Sequence, residues 1–161
     1  DSASHIITPH NYFYNLMLQP HQLPPYPFKI TENNAQLTLF DDIRKKHIVL
    51  TPEEWVRQHF LHYLITVWQY PVSYIAVEKT MKLGELNKRF DLLVYDRLHQ
   101  PWLMVECKAI EINLTESVLH QILRYNMAIP VSYLVITNGT ECYAYHRING
   151  TLQPLDELPP F

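Results

Sequence analysis

Apolar residues recur along this chain with two different periods. Val56, Phe60, Tyr63, Leu64, Val67 and Trp68 follow the spacing of a helix with one buried stripe. The start of that helix is marked several times over. Thr51 can cap it, Pro52 suits its first turn, and Glu53 and Glu54 favour the positive end of its dipole. Glu54 also completes a capping box with Thr51, and Pro71 stops the run. A second helical pattern spans Thr115–Ala128, with Val118, Ile122, Tyr125 and Ile129 on one stripe and Pro130 at its end. The stretches Val72–Met81, Arg89–Asp96 and Trp102–Ala109 read instead as strands, separated by a turn at Gly84 and another over Leu98–Pro101. Val131–Thr137 and Glu141–Arg147 form a last pair around Asn138-Gly139, a strong hairpin signal. Three antiparallel strands followed by a helical crossover to a further strand predict a single α/β domain. Its mixed central sheet is flanked by helices, with a right-handed crossover.

Both ends of the chain read differently. Residues 1–27 hold five prolines among aromatics, the pattern of an extended arm packing on the body, with a short helix allowed at Asn11–Leu18. Phe28–Ile30 and Leu37–Phe40 suggest a small hairpin or an extended edge. The tail from Pro154 to Phe161 reads as extended. The expected division is a proline-rich arm over 1–40, a main body over 41–150 and an extended tail over 151–161.

Composition narrows the chemistry. A chain of 161 residues is one domain by size and needs no staple to fold. Three glycines leave no room for a phosphate-cradling glycine loop. Cys107 and Cys142 sit in strand-like stretches without a C-x-x-C, so they read as reduced thiols and not as a zinc site. No apolar run reaches membrane-spanning length and no basic-then-apolar leader opens the chain, so a cytoplasmic location is expected. The net charge of −3 argues against a uniformly basic nucleic-acid surface. Within residues 79–89, however, Lys79, Lys82, Lys88 and Arg89 stand against one acid, Glu85, and suit a phosphate-contacting rim that Arg57 and Arg124 could extend.

The chemically unusual segment is Glu106-Cys107-Lys108, which ends the apolar run Trp102–Val105. Strand alternation puts Glu106 and Lys108 on one face and Cys107 on the other. Asp91 opens the neighbouring apolar strand, and the turn between the strands brings Asp91 and Glu106 near register. Two facing carboxylates repel unless a cation lies between them or one is protonated. Hard oxygen ligands suit Mg²⁺ or Mn²⁺. Lys108 beside such an ion could orient or deprotonate a water. Each feature also has a plain structural reading. Glu106 with Lys108 can be a solvated ion pair, Gln121 and Tyr125 ordinary helix neighbours, and Glu53 and Glu54 ordinary first-turn acids. His59 and His62 lack a third zinc ligand, and Trp55, Tyr74 and Trp102 read as core residues.

Together, Asp91, Glu106-x-Lys108 and the strand–helix order resemble the PD-(D/E)xK nuclease superfamily and its restriction-endonuclease-like αβββαβ core. Residues 50–58, Lys88-Arg-Phe-Asp91, Val105-Glu-Cys-Lys108, residues 121–126 and Thr137-Asn-Gly139 are similar to the N-terminal nuclease domain of type I restriction enzyme R subunits. That resemblance implies a magnesium-dependent deoxyribonuclease of the restriction type, an endonuclease rather than an exonuclease, acting on DNA. It gives Asp91 and Glu106 the metal (Mg²⁺ or Mn²⁺) and Lys108 the water. Gln121 and Tyr125, in a Q-x-x-x-Y motif, would support the site with an acid of the first helix, for which Glu54 is favoured over Glu53. Phe90 stands where the superfamily's name has proline. The length suggests a stand-alone nuclease core, with any motor supplied by a separate restriction-complex subunit. The alternative is a non-catalytic nucleic-acid-binding or assembly domain that retains the fold.

Overall fold

Thr51 does cap the first helix: its hydroxyl accepts from the backbone N–H of Glu54 at 3.0 Å. In the computed structural model, which describes residues 23–161, this helix, α1, spans Pro52–Thr66. The short helix expected at Asn11–Leu18, and most of the proline-rich arm, lie outside the described residues. α1 is buried on nearly every side, from Glu54 through His62 and again at Leu64. A single amphipathic stripe does not require that. The cause is a second sheet. Residues 30–49, expected as a hairpin or edge, form a three-stranded antiparallel meander of β1 (Ile30–Asn33), β2 (Gln36–Asp41) and β3 (Lys46–Val49). Its Leu37 and Leu39 join Leu50 and Trp55 in a small core of their own. The expected division at residue 40 therefore falls inside β2.

On its other side α1 presents Val56, Phe60, Leu61 and Leu64 to the main core, with Leu92, Val94, Leu103 and Val105. Those last four come from a six-stranded mixed sheet, in the order β4 (Ile75–Leu83), β5 (Leu86–Tyr95), β6 (Pro101–Cys107), β7 (Tyr133–Thr137), β8 (Cys142–Ile148) and β9 (Thr151–Leu155). β6 and β7 are parallel and every other pairing is antiparallel. The helix that makes the crossover, α2 (Glu116–Tyr125), is capped by Thr115. It covers the opposite face through Val118, Leu119, Ile122 and Leu123, which pack on Phe90, Leu93, Met104 and Leu134. The order α1-β4-β5-β6-α2-β7 is compatible with the expected restriction-endonuclease-like αβββαβ core, extended by β8 and β9.

Several boundaries move. Val72–Tyr74 is one turn of 3-10 helix, so β4 begins at Ile75. β6 stops at Cys107, which leaves Lys108 just past the strand, with its backbone N–H donated to the Thr137 carbonyl at 2.8 Å. β9 is an addition to the expected extended tail. Asn149 and Gly150, at φ 49° and 79°, make the tight turn that folds it back on β8. Pro154 is tolerated because β9 is an edge strand.

Candidate functional site

β5 and β6 pair as far as Leu92 opposite Val105, and Asp91 and Glu106 are the next residues on the two strands. Asp91 marks the place where β5 loses its simple alternation. Phe90 and Leu93 belong to the core under α2, whereas Leu92 and Val94 belong to the core under α1. The neighbouring strand is irregular at the same level. Glu78 has φ 52°, and the ladder pairs Val77 with Leu92 and Lys79 with Phe90 but leaves Glu78 out. Irregularities of this kind re-aim side chains. Here the slip sends Lys88 and Phe90 to the α2 face, where Glu106 also lies.

On that face Glu106, Lys108, Gln121 and Tyr125 line one open cavity of about 310 Å³, with Lys88, Val118, Ile122 and Asn126. Four of the expected catalytic residues are thus brought together. The Glu106 Oε1 accepts a hydrogen bond from Lys88 Nζ at 2.6 Å. The Lys88 ammonium also lies 5.5 Å from the centre of the Tyr125 ring.

Asp91 is held from the α1 side. Its Oδ1 accepts from Arg57 Nη2 at 3.0 Å, and its Oδ2 from the backbone N–H of Cys107 at 2.8 Å. Arg57 belongs to a larger ionic cluster. It also pairs with Glu54, with Glu53 at 3.3 Å and with Glu78 at 3.4 Å. Burial by itself would depress the Arg57 guanidinium. The charge and hydrogen bond of Asp91, with Glu78, instead raise it above the ordinary arginine value. Arg44, from the turn between β2 and β3, extends the cluster to Asp41 at 2.5 Å, Glu54 at 2.8 Å and Glu78 at 2.5 Å.

This network separates the two candidate helix acids, of which the resemblance favours Glu54. Glu54 is buried and already accepts from Arg44, Arg57 and Gln58. Glu53 is the acid in the field of the site. Burial raises its pKa above the usual carboxylate value, Asp91 and Glu106 raise it further, and Arg57 and Lys108 oppose them. The two acids are adjacent in sequence, and their roughly 100° separation around the helix decides which meets the strands and which meets the meander.

The basic rim also changes. Lys79, Lys82 and Arg89 are exposed on the β4–β5 hairpin, and Arg89 pairs with Glu78. Lys88 is buried against Glu106 and Arg57 lies inside the ionic cluster, so neither stands on an exposed rim. The even count of two residues from Lys88 to Phe90, which shares its face, was the available signal for Lys88. The slip at Asp91 could not be read in advance. Trp55, Tyr74 and Trp102 pack in or against cores. The Cys107 thiol is buried and pushed well above its ordinary value, which leaves it a poor nucleophile.

Among the described residues no three His, Cys, Asp or Glu side chains gather closely enough to chelate a metal ion by themselves. Mg²⁺ does not require such a cage, since it is commonly held by one or two carboxylates with water completing its shell. Asp91 and Glu106 carry hard oxygens of the kind such an ion takes, and both add to the burial that raises Glu53. The donor set fits a divalent ion of this type.

A family model for the N terminus of the type I restriction enzyme R protein matches residues 52–159. That span contains every candidate of the cavity and the ionic cluster except Arg44 and Asp41. No curated protein matches. Among solved structures, a fragment assigned to an HsdR subunit of a type I restriction enzyme from Vibrio vulnificus YJ016 is 22% identical, with a TM-score of 0.37. The alignment covers 53% of this chain and 18% of that one. The match spans less than a fifth of the length of that chain. No helix among the described residues is long and apolar enough to cross a membrane.

Proposed function

The chain belongs to the type I restriction enzyme R protein N-terminal family, and on that premise we propose that it is a divalent-metal-dependent nuclease domain hydrolysing phosphodiesters in DNA. The observation that carries this reading is the cavity in which Glu106, Lys108, Gln121 and Tyr125 meet, with Asp91 on the strand paired to that of Glu106. In this reading Asp91 and Glu106 hold Mg²⁺ or Mn²⁺. The ion supplies Lewis-acid stabilisation of the phosphate charge and lowers the pKa of a bound water. Lys108 holds the attacking water by its ammonium and offsets negative charge as it develops. Gln121 and Tyr125 border the space a phosphate occupies, and Glu53 takes the role of the helix acid. Lys79, Lys82 and Arg89 contact backbone phosphates on the hairpin. The chemistry falls within residues 41–150, while the fold that carries it reaches β1 and β2 before those bounds and β9 after them, with DNA and a restriction-complex motor subunit as partners, in the cytoplasm.

One observation favours the alternative. Arg57 and Lys88 already neutralise Asp91 and Glu106, an arrangement that also suits an idle site in a binding or assembly domain. Cleavage separates the two readings. Supercoiled plasmid, linear DNA and single-stranded DNA are incubated with the protein in Mg²⁺ or Mn²⁺, beside Lys108→Ala and Asp91→Asn. The nuclease reading expects both variants to lose about a hundredfold or more in rate, the scale seen when a charge-stabilising group is removed. Equal rates in all three proteins overturn it, and DNA retained but uncut by all three establishes the binding domain.

A further inference from the structure

Lys88 has no part in the chemistry described so far, yet it sits closer to it than the expected rim allowed. Its side chain is 10% exposed, and that of its partner Glu106 is 16% exposed. A lysine withdrawn to this degree needs a compensating charge. Glu106 provides it at 2.6 Å, on the same carboxylate that is to hold the ion. A divalent cation and an ammonium are rivals for that carboxylate, because each supplies the positive charge the other would repel.

The cavity contains a second place for the ammonium. Asn126 lines it too, at the C-terminal cap of α2, and is 1% exposed. Its Nδ2 donates to the Ile122 carbonyl at 2.8 Å, which fixes the orientation of the amide. Its Oδ1 is buried and has no hydrogen-bond partner among the described residues. An unpaired buried acceptor costs free energy and is rare in folded proteins. Beside it, the face of Tyr125 attracts a cation without competing for metal. A lysine has three rotatable donors on a flexible stem and can move between such partners.

We propose that Lys88 is an internal counter-ion that divalent metal displaces, moving from Glu106 to Asn126 Oδ1 against the Tyr125 ring. This rests on the reading that Glu106 is a metal ligand. Without metal the ammonium keeps Glu106 paired, and metal affinity is lowered by the fraction of molecules in that paired state. With metal the ammonium satisfies Asn126 and stays at the cavity wall, where it faces the phosphate.

Metal binding tests this without reference to cleavage. Free Mn²⁺ is measured by electron paramagnetic resonance during titration of wild type, Lys88→Met, Lys88→Arg, Glu106→Gln and, as a charge control, Lys82→Met. The proposal expects Lys88→Met to bind Mn²⁺ about tenfold more tightly, as when a state populated about ninety per cent of the time is removed. Lys88→Arg keeps the competing charge and stays near wild type, and so does Lys82→Met. An unchanged or weaker affinity in Lys88→Met overturns the displacement. Affinity that Glu106→Gln leaves intact overturns the metal-ligand reading beneath it, and with it the proposal. In the wild-type protein, nitrogen-15 spectra of the lysine ammonium groups give an answer that needs no variant. The Lys88 signal, protected by its ion pair, must shift on saturation with Mg²⁺ together with the Asn126 side-chain amide. A Lys88 signal that stays in place overturns the proposal.

Discussion

Asp91 and Glu106 adjoin the same Leu92–Val105 pair on neighbouring strands, yet their counter-charges differ in kind. The Asp91 side is closed. Arg57 is 7% exposed and reaches four carboxylates, and the Cys107 backbone fixes the second oxygen of Asp91. Arg44 ties the same cluster to the meander. The Glu106 side is open. One lysine holds it, at the wall of a cavity whose far rim is Tyr125, 77% exposed. Arginine offers a rigid fork that several carboxylates can share, whereas lysine offers a mobile point charge. One half of the candidate site is therefore built as part of the fold, and the other is built to exchange its partner.

The contrast is open to breakage. Its largest consequence is at Arg57. Arg57→Met leaves Glu54 buried beside Asp91 without their shared cation, and should cost about 3–5 kcal/mol, the usual penalty for breaking one side of a buried pair. Lys88→Met should cost no more than about 1 kcal/mol, because Glu106 can be solvated through the cavity. Urea denaturation of the two variants measures the difference, and equal losses would erase the distinction between a closed and an open half.

Acid should open the closed half next. Burial tends to raise Asp41, but the backbone and side-chain hydrogen bonds of Arg44 and that of Gln58 hold it below its ordinary 3.8. Burial likewise tends to raise Glu78, and Arg57, Arg44 and Arg89 outweigh it to hold that carboxyl below 4.5. A carboxylate depressed in the folded state contributes stability that is present above its unfolded pKa and lost as pH falls through the folded one. Unfolding free energy should therefore fall steeply below about pH 4. Glu78→Gln should flatten that limb, and an acid limb identical to wild type would mean that the cluster is not what titrates.

The smallest expected effect has the opposite sign. Glu53 is raised in the folded state, so its ionisation works against folding as pH rises through the folded value. Its side chain is 45% exposed, which screens most of the effect. Glu53→Gln should stabilise the protein at neutral pH by less than about 0.5 kcal/mol. The gain should disappear once Glu53 is protonated in both states. A loss at neutral pH would show that the helix dipole and Arg57 outweigh the neighbouring carboxylates.

Local signals carried much of this molecule. The Thr51-Pro52-Glu53-Glu54 start, the Pro71 and Pro130 stops and the Asn138-Gly139 turn act within a few residues, so α1, α2 and the β7–β8 hairpin were legible from the chain alone. The near-register of Asp91 and Glu106 was legible too, because one short turn joins their strands. Three features were not. The meander over Ile30–Val49 pairs short strands of which only β2 alternates, and its reason for existing is the second face of α1 that it covers. The choice between Glu53 and Glu54 depends on which side of a helix meets the sheet. The place of Lys88 depends on a slip of alternation at Asp91 that is matched across the ladder by the positive φ of Glu78. The sequence determined most of the elements from α1 onward and which residues could do chemistry, because propensity and spacing are local. Only the tertiary structure decided which cation holds which carboxylate, because ion pairs form across elements, and burial sets what each one is worth.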